Sequence, residues 1–174
     1  LVTQNKKRIF DKEKSEYTFR SLNSIIASLS NAKINLPQIK FDIVVIDYNS
    51  KNNDLDQIKK QLENSKLQNT IISLNVSEFK NKINKINEEN KNVTDNMMSM
   101  MSNIHKSLIH AKNQCDDLIY FVEDDYLHQK ETFTEMVFTY ERLSSQLKKE
   151  LILCPSDYPF LYSKFENTKI FLGS

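Results

Sequence analysis

The sequence predicts an α/β fold in which a mostly parallel sheet lies between helices, giving three layers. Apolar runs of strand type alternate along the chain with segments whose apolar residues recur at helical spacing. Two of the runs, residues 41–46 and 118–122, contain few polar residues and are typical of strands buried on both faces. Both end in carboxylates, so we expect the acids to lie at the carboxyl edge of the sheet, where open α/β sheets bind ligands.

Length and composition restrict the possible functions. The 174 residues predict one domain, residues 1–174, which we expect to be incomplete at both ends. A net charge of +1 gives no electrostatic reason to expect binding to nucleic acid. The chain shows neither an apolar run of the roughly 20 residues that cross a membrane nor the apolar centre of a signal peptide, so we expect a cytoplasmic protein. The single glycine, Gly173, excludes glycine-rich phosphate loops.

In the first half of the chain, each element follows from its pattern of apolar residues. Residues 1–3 read as the end of a first strand, and residues 17–31 as an amphipathic helix. Residues 41–46 form the clearest strand, followed by a short helix and a second strand at residues 70–74. The order strand, helix, strand predicts a parallel pair joined by a right-handed crossover.

The second half begins with a polar surface excursion over residues 79–94. A long helix follows, and its apolar stripe is expected to pack in the core. Strands at residues 118–122 and 151–154 then flank a helix over residues 133–147. Cys115 and Cys154 make no disulfide framework, and we expect reduced, mostly buried thiols. The expected core stripe of the long helix consists of Met97, Met101, Ile104, Leu108 and Ala111.

Acidic residues follow the two strands that we expect to be buried. Asp47 ends the first of them, and Glu123, Asp124 and Asp125 end the other. In an extended segment alternate side chains face the same way, so Glu123 and Asp125 should project together and Asp124 oppositely. Such oxygen ligands suit Mg²⁺ or Mn²⁺. The alternative is that these acids form solvated turns or cap the next helix.

The order of these motifs resembles the nucleotide-sugar-binding half of a family 2 glycosyltransferase with the A-type (Rossmann-like) fold. Asp47-Tyr48-Asn49-Ser50 matches the family's strand-end Asp and polar turn. Asn103, Leu108 and Ala111, followed by Phe121-Val122-Glu123-Asp124-Asp125, match its helix and DxD-type motif, with Glu in place of the first Asp. The resemblance covers nearly the whole chain.

The resemblance implies a metal-dependent transfer of a sugar from a UDP- or GDP-linked donor to a glycan or another hydroxyl acceptor. On this basis Asp125 and Glu123 would bind Mn²⁺ or Mg²⁺. The family's catalytic base lies in an acceptor half, and no residue here is assigned that role. The positions implied to contact the donor are Thr3, Asp47, Asn49, Asn103, Glu123 and Asp124.

Two other function classes stay open from the sequence. The first is a non-catalytic module that keeps the glycosyltransferase-like fold and binds without turnover. The second is an unrelated flavodoxin-like domain whose acids bind Mg²⁺ for another purpose. His128, close to the acids in sequence, is a further candidate ligand, although a histidine at the start of a surface helix is the commoner case.

Overall fold

A computed structural model describes residues 12–83, 92–115 and 117–155. The chain has a mixed α/β architecture. A short 3₁₀ helix, Val76–Phe79, follows the second strand. In chain order the regular elements are α1 (Lys14–Asn35), β1 (Asp42–Asp47), α2 (Asn52–Ser65), β2 (Gln68–Ser73), α3 (Asp95–Gln114) and α4 (Thr132–Leu147).

Strands β1 and β2 form a parallel pair, as the sequence predicts. The register runs from Asp42 opposite Gln68 to Asp47 opposite Ser73. Helix α2 makes the crossover between them, and its Ile58 and Leu62 are fully buried. Because a parallel pair needs a long connection, the sheet and its covering helix are specified together by this one strand-helix-strand unit.

One face of the sheet packs against α1, α2 and the start of α4. Apolar side chains from all of these elements form a single cluster, and Tyr120 lies at its margin. The burial of such side chains is the main force that stabilises the fold, at about 25 cal/mol per Å² of apolar surface. The buried members are Leu22, Leu29, Ala32, Ile43, Ile58, Leu62, Leu67 and Phe133.

The opposite face of the sheet carries a second, smaller cluster. Ile46 of β1 packs with Leu74, Phe79 and Ile83, and Met98 of α3 contacts the group. Apolar residues of β1 therefore point to both faces, as expected for a strand with helices on either side.

The prediction of a buried strand at residues 118–122 is wrong. The segment forms no strand in the structure, and Leu118, Ile119 and Phe121 are each about half exposed, at 47%, 47% and 51%. Only Tyr120 of this run packs against the core cluster. A run of apolar residues specifies a strand only when a neighbouring strand satisfies its backbone, and the described residues provide no such ladder here.

The expected core stripe of α3 is also largely wrong. Ala111 is buried, but Met101, Ile104 and Leu108 are exposed. The buried face of α3 instead contains Ser99 and Ser102. Their small side chains allow a close approach to the rest of the fold, and this packing turns the larger apolar side chains outward.

The structure also bears on the expected last strand, on the two cysteines and on the question of a membrane-spanning helix. Residues 151–154 form no strand beyond a single bridge at Leu151, and Ile152 is 80% exposed. Cys115 and Cys154 are exposed rather than buried. Among the helices that the structure describes, none is both long and apolar enough to cross a membrane. The first strand expected at residues 1–3 lies outside the described residues.

Candidate functional site

Asp47 ends β1 and is held by the turn that follows it. Its side chain is 6% exposed, and its carboxylate accepts hydrogen bonds from the backbone N–H of Ser50 (3.4 Å) and from the Ser50 hydroxyl. Asn49 adopts a left-handed conformation with φ of 56°, which short polar residues tolerate best after glycine. The polar turn thus fixes the orientation of a buried carboxylate at the carboxyl end of the sheet.

Asn103 joins α3 to the same end of β1. Its side-chain amide donates to the backbone carbonyl of Ile46 at 3.1 Å. The Ser107 hydroxyl, one turn further along α3, donates to the Asn103 backbone carbonyl at 2.8 Å. In this structure Asn103 therefore positions the strand end next to Asp47 through the backbone.

Asp124 makes two contacts with the first turns of α1. Its carboxylate lies 3.3 Å from the Lys14 ammonium and accepts a hydrogen bond of 3.4 Å from the Thr18 hydroxyl. Both charged side chains are about four-fifths buried, so solvent screens this ion pair less than a surface pair. The carboxylate predicted to contact a donor is thus used to hold the loop against the helix.

Two serines of α1 continue the contacts that begin at Lys14 and Thr18. The Ser24 hydroxyl accepts from the backbone N–H of His128 at 3.0 Å, and the Ser28 hydroxyl accepts from that of Phe133 at 3.2 Å. The second bond satisfies an N–H in the first turn of α4, whose own N-cap residue makes no side-chain capping bond. One side of α1 therefore positions the loop and the start of the helix after it.

Residues 120–128, called the acidic loop below, are closed at their base by two side chains. The Tyr120 hydroxyl and His128 Nε2 lie 3.1 Å apart, within hydrogen-bonding distance. Burial lowers the pKa of His128 below its ordinary value of 6.5, and a hydrogen bond to the Tyr126 backbone partly opposes this shift. His128 therefore favours its neutral form and lies within hydrogen-bonding distance of Tyr120. It is not an exposed surface histidine.

The acidic loop offers Glu123 and Asp125 on either side of the Asp124 contact. Glu123 is exposed and Asp125 is half-buried, and a turn forms at Asp124 and Asp125 in place of the expected continuing strand. Within the described ranges, no group of three or more His, Cys, Asp or Glu side chains is arranged to hold a metal ion. Carboxylate oxygens are nonetheless the ligands that Mg²⁺ and Mn²⁺ prefer, and oxygens from a phosphate can complete such a site.

The structure places the predicted site residues at the end of β1 and on the acidic loop. Asp47 and Asn49 lie in the turn after β1, Asn103 bonds to that strand end, and Glu123, Asp124 and Asp125 lie on the loop held by α1. Thr3 lies outside the described residues.

Sequence reasoning missed the residues that hold the acidic loop. Lys14, Thr18, Ser24, Ser28 and Tyr120 were not predicted to have a role. A signal for four of them exists in the sequence. Lys14 and Thr18, like Ser24 and Ser28, are spaced four residues apart, which places each pair on one side of a helix.

Comparison of the chain with protein-family models, with curated proteins and with solved structures gives no match.

Proposed function

We propose that this chain is the donor-binding part of a metal-dependent glycosyltransferase with the three-layer A-type fold. The observation that carries the proposal is the buried Asp47 at the carboxyl end of β1, with Asn103 bonded to the same strand end. A crevice at that edge is where open α/β sheets bind nucleotides, and the chain has no glycine-rich loop that could bind phosphates instead.

Each side chain has a role in this proposal. Asp47, fixed by the Ser50 turn, accepts hydrogen bonds from the nucleoside. Glu123 and Asp125 would supply oxygen ligands for Mn²⁺ or Mg²⁺, and the metal would supply positive charge to neutralise the diphosphate leaving group. Asp124 is assigned to scaffolding, because Lys14 and Thr18 already bind its carboxylate. The acceptor is a hydroxyl group, and no residue of this chain is assigned as its base.

A thermal-shift series tests the proposal directly. Melting temperatures are measured with UDP, GDP and adenosine diphosphate, each with and without Mn²⁺. A nucleotide at a hundredfold its Kd should stabilise the protein by about 2.7 kcal/mol, and UDP or GDP with Mn²⁺ should give the largest shift.

Single-residue variants, compared with a control variant, test which side chains bind the nucleotide and the metal. Asp47→Asn should abolish the nucleotide-dependent shift, and Asp125→Ala should abolish its dependence on Mn²⁺. Asp56→Asn, an exposed acid on α2, is the control and should behave as wild type. If none of the nucleotides raises the melting temperature, or if Asp125→Ala keeps the metal-dependent shift, the donor-site assignment is wrong.

A further inference from the structure

The His128 ring closes the base of the acidic loop between aromatic side chains. It stacks on Phe133 of α4, with ring centroids 5.6 Å apart and an interplanar angle of 1°, and it meets the Tyr120 ring edge-to-face at 5.8 Å. The Tyr120 and Phe133 rings meet edge-to-face at 5.4 Å, and both belong to the core cluster. The imidazole therefore contacts apolar ring surfaces on two sides.

The two ring nitrogens suit a neutral imidazole. The single proton of the neutral ring can lie on Nε2, which is 3.1 Å from the Tyr120 hydroxyl and then donates to it. Nδ1 is buried and makes no hydrogen bond of ordinary geometry with any described residue. Protonation adds a second N–H at Nδ1, and a buried donor without an acceptor is costly. The closed loop therefore favours the neutral ring.

Charged groups lie on every element around the ring, but they do not set its protonation. The pKa of His128 is lowered by burial, and among the described groups only the Tyr126 backbone opposes this shift. The charged side chains on the adjoining parts of α1, the loop and α4 are Lys14, Arg20, Glu123, Asp124, Asp125, Lys130, Glu131 and Glu135.

The base and the tip of the acidic loop are held by separate contacts. At the base, the His128 backbone N–H donates to the Ser24 hydroxyl at 3.0 Å. At the tip, Lys14 and Thr18 bind the Asp124 carboxylate. Because the two sets of contacts share no side chain, the base can open locally while α1 and α4 stay folded.

We propose that Tyr120 and His128 form a pH-sensitive latch at the base of the acidic loop. The latch is closed while the imidazole is neutral and opens when the imidazole takes up a proton. It controls the exposure of residues 120–128 whatever the loop binds, so this inference does not depend on the proposed function.

The direction of the pH effect follows from the two states of the latch. In the open loop the ring is solvated, and its pKa returns to about 6.5. In the closed loop burial lowers that pKa. Closure is therefore fully favoured above pH 6.5 and loses this advantage as the pH falls from 6.5 to the closed-state pKa. Over that interval the open fraction should rise by up to about tenfold per pH unit, because opening takes up one proton.

Amide exchange of the whole chain, followed by NMR, tests the latch. The reporter is the amide of residue 128, which Ser24 protects, and the reference is the Phe133 amide, which Ser28 protects. After correction for the intrinsic pH dependence of exchange, protection at residue 128 should fall about fivefold or more between pH 7.5 and 5.0. Protection at Phe133 should not change. The His128 ring signals should titrate with a pKa below 6.5.

Three variants assign the effect. His128→Gln removes the titrating ring and should make protection at residue 128 independent of pH over this range. Tyr120→Phe removes the hydroxyl but keeps the ring that packs on Phe133, so the fold should be retained while residue 128 is less protected at pH 7.5. His105→Gln is the matched control, since His105 meets Phe79 edge-to-face at 5.2 Å on the opposite face of the sheet. It should leave the pH dependence at residue 128 as in wild type.

Several outcomes would overturn the latch. Constant protection at residue 128 in wild type, or a His128 ring that titrates at or above pH 6.5, contradicts it. An equal loss of protection at Phe133 would show general unfolding in place of local opening. A pH dependence that survives in His128→Gln would assign the effect to another group. If the nucleotide tests fail while these results hold, the proposed function is wrong and the latch stands.

Discussion

The two acid-terminated segments are held in place by different means. The segment that ends at Asp47 is a strand within a parallel pair, and its Ile43 and Ile46 are buried on opposite faces of the sheet. The segment that ends at Glu123 forms no strand ladder and exposes most of its apolar residues. It is held by the contact of Tyr120 with Phe133 of α4 and, just beyond it, by the contacts of Asp124 with α1. An acid can therefore be positioned either by a backbone ladder or by a set of specific side-chain contacts.

This difference matters for stability. A strand in a packed sheet shares the cooperativity of the core, whereas a loop held by a few side-chain bonds can open locally at a smaller cost in free energy. If the proposed function holds, the nucleoside side of the site is rigid and the metal side is adjustable.

The largest expected effect comes from a matched pair of isoleucines. Ile43→Ala removes a buried side chain of β1 and should lower the free energy of unfolding by about 2–5 kcal/mol. Ile119→Ala, at a half-exposed position in the apolar run before Glu123, should cost less than about 1 kcal/mol. Urea unfolding followed by circular dichroism measures both. Equal losses would mean that residues 118–122 are packed as tightly as β1.

A smaller effect is expected from the contact at the tip of the acidic loop. Asp124→Asn removes the charge that pairs with Lys14 and should lower the free energy of unfolding by about 1–2 kcal/mol, because both groups are mostly buried. Asp56→Asn is the control, since its ion pair with Lys59 is exposed and should contribute less than about 0.5 kcal/mol. If the two variants lose the same stability, the contact with α1 does not hold the loop.

Loss of the contact between Ser28 and α4 should lower the free energy of unfolding by a similar or smaller amount. Ser28→Ala leaves the Phe133 N–H without its hydroxyl acceptor, at a cost of about 0.5–2 kcal/mol, as for the loss of a helix cap. Amide exchange in the first turn of α4 should become faster. Ser144→Ala, whose hydroxyl bonds only to the preceding turn on an exposed face, should leave that exchange unchanged.

The smallest expected effect is the pH dependence contributed by His128. Burial lowers its pKa in the folded protein, so the unfolded chain binds a proton first as the pH falls. The contribution to stability is therefore complete above pH 6.5 and decreases as the pH falls from 6.5 through the folded pKa. Between pH 7.5 and 5.5 wild type should lose more unfolding free energy than His128→Gln. Equal losses would show that His128 is not buried in solution.

Much of the fold follows from the sequence, for physical reasons that differ between regions. The β1–α2–β2 unit could be predicted because its periodicity, its turn residues and its burial agree, and the structure confirms all three elements. Residues 118–122 have the same apolar character, but strand formation depends on a partner whose presence the run itself does not encode.

The site was predicted in part. The position of Asp47 follows from where its strand ends, whereas the contact of Asp124 with Lys14 depends on how α1 packs beside a loop 110 residues away in sequence. The spacing of Ser24 and Ser28 places them on one side of a helix, but it does not indicate that they bind the backbone of the loop and of α4. Similarly, α3 packs through Ser99 and Ser102 rather than through its larger apolar residues.

The most direct test of the central claim is paramagnetic broadening of backbone amide signals by Mn²⁺ bound with UDP. If the two acid-terminated segments form one site, the amide signals of residues 47–50 and 123–126 should broaden together, while those of residues 38–41, at the opposite edge of the sheet, remain sharp. Broadening confined to the acidic loop, or spread evenly over the surface, would contradict a shared nucleotide and metal site.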